Sequence, residues 1–152
     1  MKWDFAIGNP PYQEESNLQQ ELSEDNKRNF APPFYNSFLD EAYKVANVVE
    51  MIHPARFLFN AGSTPKAWNE KMLNDTHLKV PYYEPDSEKV FHGLSTPIKG
   101  GIAITYRNSN IECGAIKAFT RFEELNSILH KVITSKDFSG LSSIVYSRTS
   151  IV

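Results

Sequence analysis

Asp4-Phe5-Ala6-Ile7-Gly8-Asn9-Pro10-Pro11-Tyr12 decides the fold. Phe5, Ala6 and Ile7 form a brief apolar run with one β-branched residue. A glycine and two prolines bound it, which is how a buried strand stops. Pro10 and Pro11 fix φ and carry no N–H, so neither a helix nor a ladder continues through them. Asn9 precedes a proline and is pushed to extended geometry. The stretch reads as a short strand running into a stiff loop. The Asn9 amide, the Asn9 and Pro10 carbonyls and the Tyr12 ring are held there with little freedom. In open α/β sheets, ligands bind outside the carboxyl ends of the strands, so this corner is the first candidate site.

The pattern repeats downstream. Val48 to Ile52 is an apolar strand closed by His53-Pro54. Between the two strands, Phe34, Phe38, Ala42, Val45 and Ala46 share one face at helical spacing, with Tyr35 and Leu39 beside it. Asp40 and Lys44 are spaced to pair at i,i+4. Ala55 to Asn60 reads as a short helical turn. Thr64 is placed as an N-cap with Pro65 at the first helical position. That helix runs to about Asn74, with Ala67, Trp68, Met72 and Leu73 roughly on one face. Strands follow over 78–83 and 102–106. The turn Arg107-Asn108-Ser109-Asn110 predicts that 111–119 pairs back on 102–106 as an antiparallel hairpin. A last helix covers about 122–134, with Leu125, Ile128, Leu129, Val132 and Ile133 apolar. Strands alternating with helices predict an α/β fold with a mixed sheet flanked by helices.

Asn9-Pro10-Pro11-Tyr12 after an apolar strand resembles the catalytic motif of amino-group methyltransferases that use S-adenosylmethionine. Chief among these are the DNA adenine-N6 methyltransferases of restriction–modification systems. The resemblance implies a Rossmann-like methyltransferase fold, of which this chain supplies the C-terminal half of the catalytic domain over 1–119. The motif loop is 9–12, and 120–152 is a helix and the start of a target-recognition region. It implies that the Asn9 side chain and the Pro10 carbonyl accept from the adenine amino group, with Pro11 stiffening the corner. Tyr12 then stacks on a flipped base, which pairs the chain with double-stranded DNA. The Val90-Phe91 segment and Lys99-Gly100-Gly101 before an apolar strand continue the likeness. Phe91 reads either as a core residue at a strand–loop junction or as the second face of the base pocket. Lys99 reads as a contact to a backbone phosphate. Phe34 and Tyr35, with Asn9, correspond to residues near the cofactor. Two other readings stay open: a protein glutamine-N5 methyltransferase, whose family uses the same corner, and a non-catalytic fragment lacking the cofactor half.

Only eight residues precede Asn9, and no glycine-rich strand–turn–helix follows. The resemblance expects such a cofactor-holding segment upstream. The chain is therefore expected to be inactive alone, and to need a missing N-terminal half, a restriction–modification subunit or a homo-oligomer to cover an open apolar sheet edge. The 152 residues are 41% hydrophobic, enough for one compact unit with a core. The single Cys113 excludes a disulfide framework and a thiolate metal site, and fits a reducing cytoplasm. No apolar run is long enough to span a membrane. A net charge of −2 argues weakly against a nucleic-acid face. Residues 13–32 are polar and charged, and read either as a mobile insertion without a role or as a lid that orders on binding. His53 reads as a strand-end histidine with no proton to move, since methyl transfer to an amino group asks for no histidine of its own.

Overall fold

A computed structural model describes residues 2–12, 33–93, 97–141 and 144. The chain divides into two compact units, Met1–Arg121 and Phe122–Val152. The expected loop over 13–32 lies outside the described residues, as does most of the terminal run after Leu141.

The first unit holds a four-stranded mixed sheet. Its elements are β1 (Trp3–Gly8), α1 (Tyr35–Val45), β2 (Ala46–Pro54), α2 (Lys66–Asn74), β3 (Leu78–Glu84) and β4 (Ile102–Asn108). The strand order is β1-β2-β4-β3. β1 runs parallel to β2, with Gly8 opposite Met51. β4 is antiparallel to both β2 and β3. The parallel pair needs a crossover, which α1 supplies.

The hairpin expected over 111–119 does not form. β4 already has a partner on each side, so no ladder edge is left for it. Gly114 (φ 80°) and Lys117 (φ 56°) also take left-handed backbone, which no strand tolerates. This segment instead runs back along the end of α2, where the Cys113 N–H donates to the Thr76 carbonyl (2.7 Å) and the Lys117 N–H to the Leu73 carbonyl (2.7 Å).

The core lies on one face of the sheet. Val49, Met51 and His53 of β2, Ala103 and Thr105 of β4, and Leu78 of β3 are buried there with Tyr35, Leu39, Ala42, Trp68 and Met72 of the helices. α1 therefore buries the Tyr35–Leu39–Ala42 stripe. The neighbouring stripe of Phe34, Phe38 and Val45, expected inside, is substantially exposed. Lys44 pairs with Glu41 (2.6 Å) rather than with Asp40, which is taken by Lys71 (2.7 Å) and the Trp68 indole (3.2 Å). α2 starts without a side-chain cap, because the Thr64 hydroxyl donates sideways to the Asn69 side-chain oxygen (2.7 Å). Its buried face is Trp68, Asn69 and Met72; Ala67 is exposed.

The opposite sheet face is open over β1. Trp3, Phe5 and Ile7 alternate on it and are 71%, 68% and 77% exposed. β1 is thus an apolar edge strand with no proline or bulge to blunt it; its one charge, Asp4, lies on the other face, the side of Ala6 and the core.

The second unit contains α3 (Glu123–Ile133), close to the helix expected there. Leu125, Ile128 and Val132 lie along one exposed stripe. The Thr134 hydroxyl closes its end by donating to the His130 carbonyl (2.7 Å). No helix among the described residues is long and apolar enough to cross a membrane.

Candidate functional site

β1 and β2 are parallel, so their carboxyl ends emerge together. Asn9-Pro10-Pro11-Tyr12 leaves β1 at that end, and Ala55-Arg56 leaves β2 there. Pro10 is buried and anchors the corner, while Asn9 and Pro11 are exposed and Tyr12 is half-buried. Under Gly8 lies the Met51 thioether, so a side chain at Gly8 would rest 3.4 Å from its sulfur. The Tyr12 carbonyl accepts from the Phe34 N–H (3.1 Å), which ties the corner to the start of α1. α1 has no side-chain N-cap, and this bond ends in one of its otherwise unused first donors.

Tyr12 is held as a neutral plate. Burial pushes its hydroxyl up to about 12, opposed by the neighbouring Asn9 side chain. The hydroxyl is buried without a hydrogen-bond partner among the described residues. Phe91 comes to it from the other side of the sequence: the two ring centroids are 6.4 Å apart with planes at 59°. Phe91 is set by a 3-10 turn over Ser87–Lys89, where the Asp86 carboxylate accepts from the Glu88 N–H (3.1 Å) and the Phe91 N–H donates to Ser87 (2.9 Å). A flat ring sandwiched between two others needs about 7 Å between parallel planes, twice an ordinary carbon–carbon contact. The two rings therefore touch in this conformation, and a base enters only if they swing toward parallel.

The two aromatic residues at the start of α1 part company. Phe34 stays 38% exposed next to the corner. Tyr35 is a core residue, 2% exposed. It stacks on His53 (5.3 Å, 17°) and meets Trp68 edge-on (5.9 Å, 87°). It offers no surface to a ligand, which departs from the expectation that it lies against a cofactor. His53 is fully buried, and burial drives its pKa down to about 4. It is a neutral structural group, as its sequence context suggests.

Lys99 sits on a turn that the glycines after it make possible. Gly100 and Gly101 have φ of 89° and 78°. A Cβ at Gly101 would collide with the Glu84 carbonyl oxygen, so the turn is pressed against the end of β3. The Gly101 N–H donates to Ile98 (3.1 Å), and the Ala55 N–H to the Gly101 carbonyl (3.0 Å). Arg56 belongs to no motif in the sequence, yet its Nε donates to the Lys99 carbonyl (2.8 Å) and joins the two strand ends. The only sequence signal for it is its place, directly after the strand-closing proline at the same sheet end as Asn9. No group of three or more histidine, cysteine or acidic residues able to hold a metal occurs among the described residues.

No curated protein and no solved structure matches the chain. A sequence model of the Eco57I restriction-modification methylase family matches residues 1–91. That span takes in β1, the Asn9–Tyr12 corner, α1, β2, α2, β3 and Phe91. The chain therefore belongs to the Eco57I restriction-modification methylase family.

Proposed function

We propose that this chain carries the catalytic corner of a DNA adenine-N6 methyltransferase of Rossmann-like fold. The observation behind the reading is the corner itself: an exposed Asn9 and a half-buried Tyr12 are fixed by Pro10 and Pro11 at the carboxyl end of β1, in a chain of a methylase family. An adenine amino group is a poor nucleophile, because its lone pair is delocalised into the ring. The Asn9 side-chain oxygen and the Pro10 carbonyl accept its two hydrogens. They favour a more tetrahedral nitrogen and stabilise the positive charge that develops on it. This is positioning and preorganised electrostatics, with no covalent intermediate. The target atom is unreachable inside a duplex, so the base is flipped and stacks on Tyr12, with Phe91 completing the pocket.

S-adenosylmethionine supplies the electrophilic methyl when bound. Of the residues in hand, the exposed Phe34 ring and the Asn9 side chain suit that ligand, and Tyr35 does not. Base–aromatic stacking contributes about 1–3 kcal/mol per base. Tyr12→Ala is therefore expected to lower kcat/KM for DNA by roughly 5- to 150-fold. Tyr12→Phe is expected to stay within a few-fold of wild type, since the ring that stacks is retained. Steady-state kinetics of the assembled methylase on duplex DNA check both.

The open face of β1 supports a covering polypeptide, either a missing segment, a restriction–modification subunit or a second copy. In isolation the chain is expected to self-associate. Replacing Trp3, Phe5 and Ile7 together by lysine places charges on the edge and is expected to shift it to monomer in size-exclusion chromatography with light scattering. A monodisperse wild-type monomer would count against a missing cover.

The decisive test expresses the chain in its native genomic context in a host without DNA methylation. Long-read sequencing then reads N6-methyladenine at every site, with no need to know the recognition sequence. Methyladenine at one short motif, lost with Asn9→Ala, is the expected result. Unmodified adenines beside a methylated glutamine in host protein would assign the corner to an amide substrate. Neither modification would make the chain non-catalytic.

A further inference from the structure

Arg56 is built into a turn whose other member is also a cation. Its aliphatic chain lies between two left-handed glycines: a Cβ at Gly62 would fall 2.8 Å from Arg56 Cδ, and one at Gly100 would fall 2.9 Å from Arg56 Cγ. Gly62 and Gly100 have φ of 87° and 89°, so both turns are closed by residues without side chains, and Arg56 fills the space. Its Nε donates to the Lys99 carbonyl. A guanidinium has five N–H donors in a rigid fork, and this bond engages only the inner one. The Lys99 turn is pinned from other directions too, with the Ile98 N–H donating to the Ser87 hydroxyl (2.9 Å) and the Tyr83 hydroxyl to the Gly100 carbonyl (3.4 Å). Among the described residues no carboxylate lies within ion-pair distance of either Arg56 or Lys99. By contrast, Arg107 and Lys71 at the far end of the sheet are matched to Asp75 and Asp40 (2.7 Å each).

We infer that Arg56 and Lys99 form a two-cation clamp for one or two backbone phosphates of the DNA strand whose base enters the Asn9–Tyr12 corner. This rests on the DNA reading above and adds Arg56 to it. Arg56 leaves β2 at the same end at which Asn9 leaves β1, where ligands of open α/β sheets bind. A planar fork whose stem and Nε are fixed loses little freedom on meeting a phosphate, and its outer donors suit bidentate contact. The competing oxyanion is the cofactor carboxylate. S-adenosylmethionine carries a sulfonium and an ammonium besides that carboxylate, so its net charge is positive. Two cations without an ion-pair partner among the described residues repel it and attract a polyanion.

The test is the salt dependence of binding to a fluorescein-labelled 40-base-pair duplex of mixed sequence, measured by anisotropy in 50–300 mM KCl. For every phosphate that the protein ceases to neutralise, the slope of log K against log[salt] falls in magnitude by about 0.9. Arg56→Gln and Lys99→Gln are each expected to lower the slope by about that amount, and to weaken binding at 100 mM KCl several-fold. Arg56→Lys is expected to keep most of the slope, because the charge is retained. If Arg56 only holds the turn, Arg56→Lys and Arg56→Gln lose thermal stability alike and both keep the wild-type slope, which overturns the clamp. Slopes unchanged in Lys99→Gln as well, with wild type binding normally, overturn it while leaving the DNA reading intact. Variants that lose affinity for S-adenosylmethionine and not for DNA assign Arg56 to the cofactor instead. An assembled wild-type enzyme that binds no duplex at all removes the DNA reading and the clamp together.

Discussion

Asn9→Ala is expected to lower kcat for methyl transfer by about 10²–10³-fold, with KM for DNA nearly unchanged. The magnitude follows from the loss of one preorganised hydrogen-bonding group aimed at developing charge. The sign of the KM effect follows from where Asn9 acts. Stacking on Tyr12 and grip on the backbone bind the base whether or not it reacts. In the proposed reaction the Asn9 oxygen gains strength as the amino nitrogen becomes tetrahedral and positive, so its contribution is expected mainly in the transition state. The side chain is exposed and supports nothing in the core, so unfolding free energy should stay within about 0.5 kcal/mol of wild type. Asn9→Asp keeps an acceptor oxygen in place and is expected to lose less than Asn9→Ala. Single-turnover methylation with labelled cofactor by the assembled methylase, beside a urea melt of each variant, measures all of this. A large loss of stability in Asn9→Ala, or a rise in KM at constant kcat, would remove Asn9 from the chemistry and make it a binding or structural residue.

The parts of the fold that were legible in the sequence are those fixed locally. Phe5-Ala6-Ile7 and Val48 to Ile52 each run toward a proline, which carries no ladder donor; at the sheet edge β3 bears Pro81 through a register shift, while β1 and β2 close near theirs. β1 and β2 therefore appear where expected. What failed depended on partners distant in sequence. Helical spacing offered two adjacent apolar stripes on α1. Contact with His53 and Trp68 selects the one bearing Tyr35, which no periodicity reveals. The turn at Arg107–Asn110 is good hairpin chemistry, but the edge of β4 that a hairpin would use is already paired with β3. The site shows the same division. Asn9 and Tyr12 were readable because the prolines between them act on the backbone directly. Arg56 was not, because Gly62 and Gly100 build its slot from separate segments.

The largest stability effect is expected from acid acting on His53. Its Nδ1 lies 3.1 Å from the Pro54 carbonyl and its Nε2 2.8 Å from the Thr105 hydroxyl. A carbonyl only accepts, so the neutral ring donates from Nδ1, and Nε2 accepts from Thr105. Both polar atoms are satisfied in the uncharged form with this tautomer, and the faces are covered by Tyr35 and Phe57, so a charge on the ring is cut off from water. Burial lowers the pKa from 6.5 to about 4 in the folded chain. Between those values the unfolded chain binds the proton and the folded chain does not. Stability from this group is therefore complete above about pH 6.5, declines as pH falls, and is fully lost below about pH 4. The whole loss is about 3 kcal/mol at 1.36 kcal/mol per unit, a large share of a small domain's stability. Urea unfolding at pH 7.5 and pH 4.5 should show it. His53→Gln retains an amide donor and acceptor but does not titrate, so its decline between the two pH values should be smaller by about 2–3 kcal/mol. Other titrating groups change alike in both proteins and cancel in that difference. Parallel declines would mean that water or local opening reaches His53 in the folded chain. The consequence extends to the corner, because Tyr35, stacked on His53, starts the helix whose preceding Phe34 N–H holds the Tyr12 carbonyl. Acid that charges His53 is expected to loosen the packing on which the Asn9–Tyr12 corner rests.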